Sequence, residues 1–490
     1  MTKRFADELQ NLSLCEAADL IKTGEVSAVE TLAACFEQID RLNPVHHAFV
    51  WQDRESAMAH AEGLDANRSA GRIIGLLHGI PMAHKDMYYR TGRISACGSR
   101  IRNDERPKTA TVLQKLDSAG AVDVGGLAMV EFAMGPHGFN AHLPRVLNPW
   151  SHDRVPCGSS SGSGVAVACR MVYASLGSDT GGSIRCPAAA NGIVGLLPTN
   201  GLVSRQGAMP MSFTLDCVGP LTRTVKDAAR FLQVIAGPDA THSTSGGMPI
   251  PDYERDIEGA LSGVRIGVPE GHFDRDLDPD VAKVVSGSLD VLRDAGAILV
   301  PIQIPETLSV ASDLHPLVMK AEGSANHKPW KRTRSDVYSD EVGKRLEAGF
   351  FIPATDYINA LQYRVFALED ILQSVFSKVD VLHTSVLPVP TPTLLQTAYS
   401  NGPAYLQMVV ALTRNTRVIN FLGLPALAVT CGYTSDGMPT SFQLVGRPFS
   451  ESLLFRVGHR YQMETKIHLD IPRALGGAGK PSEGLAAQAS

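Results

Sequence analysis

The stretch GSDTGGSIRCP, residues 177–187, decides how this chain is read. It follows directly on the apolar run MVYASL (171–176), so a strand-like segment gives way to a turn with two adjacent glycines. Glycine reaches backbone conformations that cost other residues free energy. Without side chains, successive N–H groups can also point at one place. A serine closing such a turn is a candidate nucleophile whose oxyanion those N–H groups would hold. The competing reading is a plain tight connection between a strand and a helix, and the rest of the chain has to separate the two.

With 490 residues the chain suffices for one large domain or two or three ordinary ones. Hydrophobic residues make up 44% and charged residues 19%, the balance of a globular protein with a substantial core. The formal net charge is -5, and Lys and Arg are scattered. The clusters KPWKR (328–332) and RIRND (100–104) are short and read as solvated faces. Nucleic acid and anionic membrane usually demand a basic footprint, so neither is expected as a partner. The start, MTKRFADELQNLSL, lacks the apolar centre of a signal peptide, and no apolar run reaches the length of a membrane span. Eight dispersed cysteines with no CxxC read as reduced thiols. A cytoplasmic enzyme is the expectation.

Around the opening stretch, helices and strands alternate. Ser13-x-x-Glu16 and Ser27-x-x-Glu30 are capping-box patterns, the first helix closing at Gly24 and the second at Asn43-Pro44. HHAFVW (46–51) reads as a strand, 53–69 as a helix, and GIPMAHKDMYY (79–89) as a strand running into a loop. A helix over 109–119 and a strand over 121–124 follow. The block 145–225 is dense in small residues. Residues 236–262 read as a long loop, where a domain boundary stays open. VRIGVP (264–269), a helix over 278–295 and AILVPIQIP (297–305) form a strand-helix-strand unit. Residues 354–378 read as a helix, 379–386 as a buried strand, and 426–433 with 440–446 as a hairpin across SDGMP. The expected class is α/β, one large three-layer domain with a mixed β-sheet covered by helices. Within it, 1–70 is a helical N-terminal region, 71–471 the catalytic part and 472–490 a disordered tail.

Several chemistries lack a pattern. There is no HExxH, no clustered Cys/His spacing and no GxxxxGK[ST], so neither a metal nor a cofactor is expected. GSSSG (158–162) matches G-x-S-x-G around Ser160, but no strand leads into it as a nucleophile elbow requires. A third arrangement needs no histidine: a serine activated by a neutral lysine through a second serine. It requires a lysine whose pKa is depressed by desolvation or by positive charge. Lys85, at the end of the apolar run GIPMAHK, is the candidate.

GIPMAHKD (79–86), CGSSSGSG (157–164) and DTGGSIRCP (179–187) resemble the three motifs of the amidase signature family. The resemblance continues through 192–229 and NFLGLPALAV (420–429), covering nearly the whole chain to about 470. Ser159 lies 24 residues before Ser183, the separation of that family's two catalytic serines. The resemblance implies an amidase working through an acyl-serine: Ser183 as nucleophile, Ser159 as relay beside a cis peptide bond, and Lys85 as base. It also implies an oxyanion hole from the N–H groups of Thr180, Gly181, Gly182 and Ser183, with Asp179 and Arg185 as supports. Met129 and Ser160 are expected at the substrate, with Phe132, Met209, Met211, Phe213, Phe350 and Phe351 as further apolar walls. A small-molecule amide and water are the expected partners, with a homodimer as an open option.

The chain departs from the family at several points. Ser161-Gly162 stands where Gly-Gly is usual, Cys157 where glycine is usual, and Leu127 and Ala128 where Thr and Asn are usual. His84 and Cys186 flank the machinery and read mainly as packing. Thr413 stands about ten positions before GLP (423–425), where the family's glutamine-hydrolysing members within tRNA-dependent amidotransferases carry an acid for the substrate amine. Such an amidotransferase component and a non-catalytic scaffold are the alternatives to a free-standing amidase on an aryl amide, carbamate or small carboxamide.

Overall fold

The computed structural model describes residues 8–101, 108–239 and 249–476. Eleven strands form one sheet: β1 (Phe49–Gln52), β2 (Pro81–Lys85), β3 (Val122–Leu127), β4 (Ala174–Asp179), β5 (Val194–Leu197), β6 (Cys217–Thr222), β7 (Arg265–Glu270), β8 (Ile298–Gln303), β9 (Val381–Ser385), β10 (Ala426–Tyr433) and β11 (Pro439–Gly446). Their order is β1-β3-β2-β4-β6-β5-β10-β11-β9-β7-β8. Helices cover the sheet, giving a single α/β domain. β2 runs parallel to both β3 and β4, and β7 to both β8 and β9. The central pairs β4–β6, β6–β5, β5–β10 and β10–β11 are antiparallel. Because the sheet runs unbroken from β1 to β8, the stretch 236–262 does not divide the chain into two cores.

Local sequence explains much of this. Ser13 and Ser27 each form a complete capping box, with Glu16 and Glu30 reaching back to the cap N–H. Gly24 ends the first helix, Leu14–Thr23, in the left-handed region at φ 85°. The second helix, Ala28–His46, runs past Pro44. His47 turns left-handed and its N–H reaches Asn43 O at 2.9 Å, while the Asn43 side chain accepts from Phe49 N–H at 2.8 Å. The stop signal therefore acts three residues late, through asparagine rather than proline. β2 and β4 are buried along their whole length, although PMAHK and ASLGSD carry polar and charged residues among the apolar ones. The helix Ser161–Ala168 is buried on every side, which is why VAVA shows no amphipathic period.

The expected tail lies mostly at 477–490, outside the described residues, as do 240–248 of the long loop and 102–104 of the RIRND cluster. The N-terminal region supplies β1 to the sheet besides its helices. Among the described residues no helix is long and apolar enough to cross a membrane. All eight cysteines are buried thiols. Ser27→Ala should lower stability by about 1 kcal/mol, read as a shift of the urea midpoint, because one capping bond to the N3 N–H is lost.

Candidate active site

Lys85 ends β2 with no solvent exposure. Its Nζ donates to Ser159 Oγ at 2.7 Å and to Ser178 Oγ at 2.9 Å. Burial pushes its pKa down to about 7, against the opposing pull of Asp216 and Asp179. Alternation along the strand sends His84 to the opposite face. There its Nε2 lies 3.4 Å from Asp123, and the rings of Trp51 and Tyr88 stand edge-on to it. His84 is therefore a packed residue of the far face.

The serine loop enters through Cys157, left-handed at φ 54°, and the Gly158–Ser159 peptide bond is cis. A left-handed conformation is one that glycine adopts most easily, which fits the family's usual glycine at 157. Ser160 N–H donates to Ser183 O at 3.3 Å, and Ser160 Oγ bonds Ser178 O at 3.3 Å. It thus ties the serine loop to the end of β4 and to the Thr180–Ser183 turn.

That turn is built on Asp179, the last residue of β4. Its carboxylate accepts from Gly182 N–H at 2.6 Å, Ile184 N–H at 3.1 Å and Arg185 N–H at 3.3 Å. The Arg185 guanidinium adds two bonds, Nε to Oδ2 at 3.1 Å and Nη2 to Oδ1 at 3.2 Å, and neither side chain touches solvent. Burial pushes the Asp179 carboxyl up, but Arg185 and the converging donors outweigh it and hold it below the usual range. Arg185 also reaches Gln443, Asn420 and Thr416 O, binding the turn to β11 and to the helix Pro403–Leu422.

Both glycines of TGGS are sterically required. Gly182 has φ 129°, and a Cβ there would lie 2.5 Å from Thr416 Oγ1 and 2.7 Å from Cys186 Sγ. A Cβ on Gly181 would lie 2.9 Å from the His315 ring. Gly182 N–H is taken by Asp179, which corrects its expected place in an oxyanion hole: the same small residue that frees the backbone also lets the carboxylate capture it. Thr180, Gly181 and Ser183 remain as the N–H positions on the cavity wall.

The cavity beside Ser183 measures about 370 Å³. Its walls are mainly apolar, with Met134, Met211, Met319, Leu346, Leu406 and Val409; Lys320, Arg345 and Arg417 are its cations, and no carboxylate among the described residues lines it. Thr413 lines it too, its hydroxyl donating to Val409 O at 2.9 Å. Of the expected apolar walls, Met211 is in place. Met129 and Ser160 do not line the cavity: Met129 is packed in the core, and Ser160 is spent on the backbone clamp. Phe132 packs on His327 and Trp330, and Met209 is buried against Tyr89. Phe213, Phe350 and Phe351 are exposed and off the lining. The Cys186 thiol lies buried 3.6 Å from Leu412 O, and burial and Asp179 push it up to about 12, so it stays protonated packing.

Four contributors were not singled out in the sequence. Ser178 is the second acceptor on Lys85. Asp216 accepts from Thr180 Oγ1 at 2.6 Å and from Met211 and Ser212 N–H at 2.9 Å, with burial pushing its carboxyl up. His315, held down to about 4 by burial, sits 2.8 Å from Thr180 O. Asn420 Nδ2 donates to Asp179 Oδ1 at 2.9 Å. A serine and an aspartate flanking buried strands were the available signals for the first two; only the tertiary fold reveals the others. Among the described residues no three His, Cys, Asp or Glu side chains gather as a metal ion requires.

A sequence model of the amidase family matches residues 30–455. One subunit of the glutamyl-tRNA(Gln) amidotransferase of Chloroflexus aurantiacus is 38% identical, over 96% of this chain and 99% of the relative. Among solved structures, the peptide amidase of Stenotrophomonas maltophilia superposes with a TM-score of 0.80 at 27% identity, covering 93% of this chain and 97% of the other. The corresponding amidotransferase subunit of Thermotoga maritima gives 0.74 at 31%, covering 94% of each chain. The names of the curated relatives favour the amidotransferase alternative over a free-standing amidase. They also overturn the expectation of no nucleic-acid partner, since those relatives are subunits of enzymes named for a tRNA. Scattered surface charge tests only direct contact with nucleic acid, and one subunit need not carry the basic footprint of its whole assembly. Arg185→Met should cost about 3–5 kcal/mol by stranding the Asp179 carboxylate, read as a lowered urea midpoint. Gly182→Ala should lower turnover at least a hundredfold while secondary structure by circular dichroism persists.

Proposed function

This chain belongs to the amidase signature family, and on that premise we propose that it cleaves a C–N amide bond through an acyl-enzyme on Ser183. The observation that carries this reading is the buried Lys85, 2.7 Å from Ser159 and poised near neutrality. Ser183 Oγ attacks the carbonyl carbon, its proton passing to Ser159 as the Ser159 proton passes to neutral Lys85. The tetrahedral oxyanion takes the N–H groups of Thr180, Gly181 and Ser183. As the C–N bond breaks, the lysine proton returns through Ser159 to the leaving nitrogen. Water then attacks the acyl carbon, giving its proton to the same relay, and the acid leaves as Ser183 Oγ is reprotonated.

Two donor classes are in contention, each with its own support. The apolar cavity with no carboxylate on its described wall supports a small amide with an apolar or aryl group. A glutamine α-ammonium bound there would lose its hydration with no anion to replace it, a cost of several kcal/mol. The relatives' names support the other reading, glutamine hydrolysis within an amidotransferase assembly, in which Lys85, Ser159 and Ser183 keep the same roles. Ammonia release from glutamine and from apolar primary amides, with arylamine release from N-aryl amides, separates them. A kcat/KM at least tenfold higher for the panel supports the first; the reverse order supports the second.

The roles themselves are tested by labelling with a fluorophosphonate and intact mass. Wild type should gain one adduct and Ser183→Ala none, while labelling of Ser160→Ala proceeds; an unlabelled Ser160→Ala beside a labelled Ser183→Ala would sink the assignment. Only the neutral amine accepts a proton, so kcat/KM should rise with pH through about 7 and level off above it. Lys85→Ala should lose that limb together with about 10²–10⁴-fold of rate.

A further inference from the structure

A second cavity, of about 590 Å³, opens on the side of the molecule where the N-terminal helix meets the C-terminal one. It shares no lining residue with the cavity at Ser183. Its wall carries Arg170, Arg223, Lys226, Arg460, His459 and His468. Three acids also line it, and each is already engaged. Glu16 closes the capping box on Ser13, Asp19 pairs with Arg230 at 3.1 Å, and Glu258 pairs with Lys226 at 3.1 Å.

The two arginines are different. Arg170 is only 9% exposed, and among the described residues its side chain has neither an ion pair nor a hydrogen bond. Arg223, equally buried, spends its terminal nitrogens on the neutral carbonyls of Gln10, Asn11 and Leu12. Asp227 acts on Arg223 electrostatically but forms no ion pair with it and does not line the cavity. The guanidiniums are close enough to repel: burial first, then Arg223, pushes Arg170 down to about 9. Among the described residues, five buried nitrogens on this wall lack any hydrogen-bond partner: the Nε atoms of Arg170, Arg223 and Arg460, and the Nδ1 atoms of His459 and His468. A buried unpaired charge costs far more than a paired one, and three orphan guanidinium Nε–H groups around one space call for a ligand rich in acceptors.

We propose that this cavity binds a phosphoryl dianion, with Arg170 as its principal ligand and Arg223 beside it. Three equivalent oxygens and up to two charges match a pair of guanidinium forks better than a single carboxylate does. The volume leaves room for the organic part of a small phosphomonoester, so inorganic phosphate and such an ester are the two sources of this chemistry.

The test uses the full chain. Thermal unfolding is followed against inorganic phosphate and, separately, glycerol phosphate, each balanced with chloride at constant ionic strength. A ligand that binds only the folded state raises the midpoint with its concentration. Wild type should show such a rise, and Arg170→Met should weaken the apparent affinity about ten- to a hundredfold. Without ligand that variant should be no less stable than wild type, since it removes an unpaired buried charge. A stronger response to glycerol phosphate identifies the ester as the occupant, and an equal or weaker one the free ion. No rise above the chloride control, or an equal rise in Arg170→Met, overturns the proposal. Phenylglyoxal modification read by peptide mass spectrometry probes the unmutated site. Phosphate should protect Arg170, and equal modification with and without phosphate would count against the site.

Discussion

A guanidinium and a carboxylate that never meet water hold this active site in shape. Asp179 ends one central strand, and Arg185 opens the short helix beyond the turn. Between them lie Thr180, the two glycines, Ser183 and Ile184, so the pair spans the very residues that must be positioned. Desolvating both charges is costly, and good geometry with further donors is what repays it. Here the repayment comes from three backbone N–H groups, Asn420 and Gln443. The partners sit on β11 and on the helix Pro403–Leu422, which are distant in sequence. The site is therefore locked only when the C-terminal third of the chain has docked.

The same dryness sets the chemistry of Lys85. A lysine at a strand end facing solvent would be fully charged at neutral pH and useless as a base. Enclosed by β3, β4 and the serine loop, it loses the hydration that favours the ammonium form. Asp216 and Asp179 pull the other way, so the amine settles near neutrality rather than far below it. Each acid has a structural task that keeps it in place: one organises the turn that carries Ser183, the other Thr180 and the Met211–Ser212 backbone. Their influence on the lysine comes from position, without contact.

Much of this was legible in the linear chain because it is local. Capping boxes at Ser13 and Ser27, the hairpin across SDGMP and the strand-helix-strand unit after 264 all follow from neighbours within a few residues. Lys85, Ser159 and Ser183 stood out through motif and spacing. What was hidden is set by topology. The antiparallel register of β4 against β6 pairs Asp179 with Cys217, and this alone carries Asp216 to Thr180. His315 and Asn420 arrive from helices more than a hundred residues away. The cavity walls were misjudged for the same reason: the left-handed residues Phe132 and Ala133 turn the chain so that Met134, and not Met129 or Phe132, faces the cavity.

The burial of every cysteine has a practical side. Thiolate formation and reagent access both require water at the sulfur, and all eight native cysteines are buried in the folded state. One cysteine introduced at an exposed position such as Phe351 would then react with a maleimide well ahead of the buried native thiols. A fluorophore or spin label could be placed there without first stripping the native cysteines from the core, so the surroundings of that position become observable in the otherwise unaltered chain.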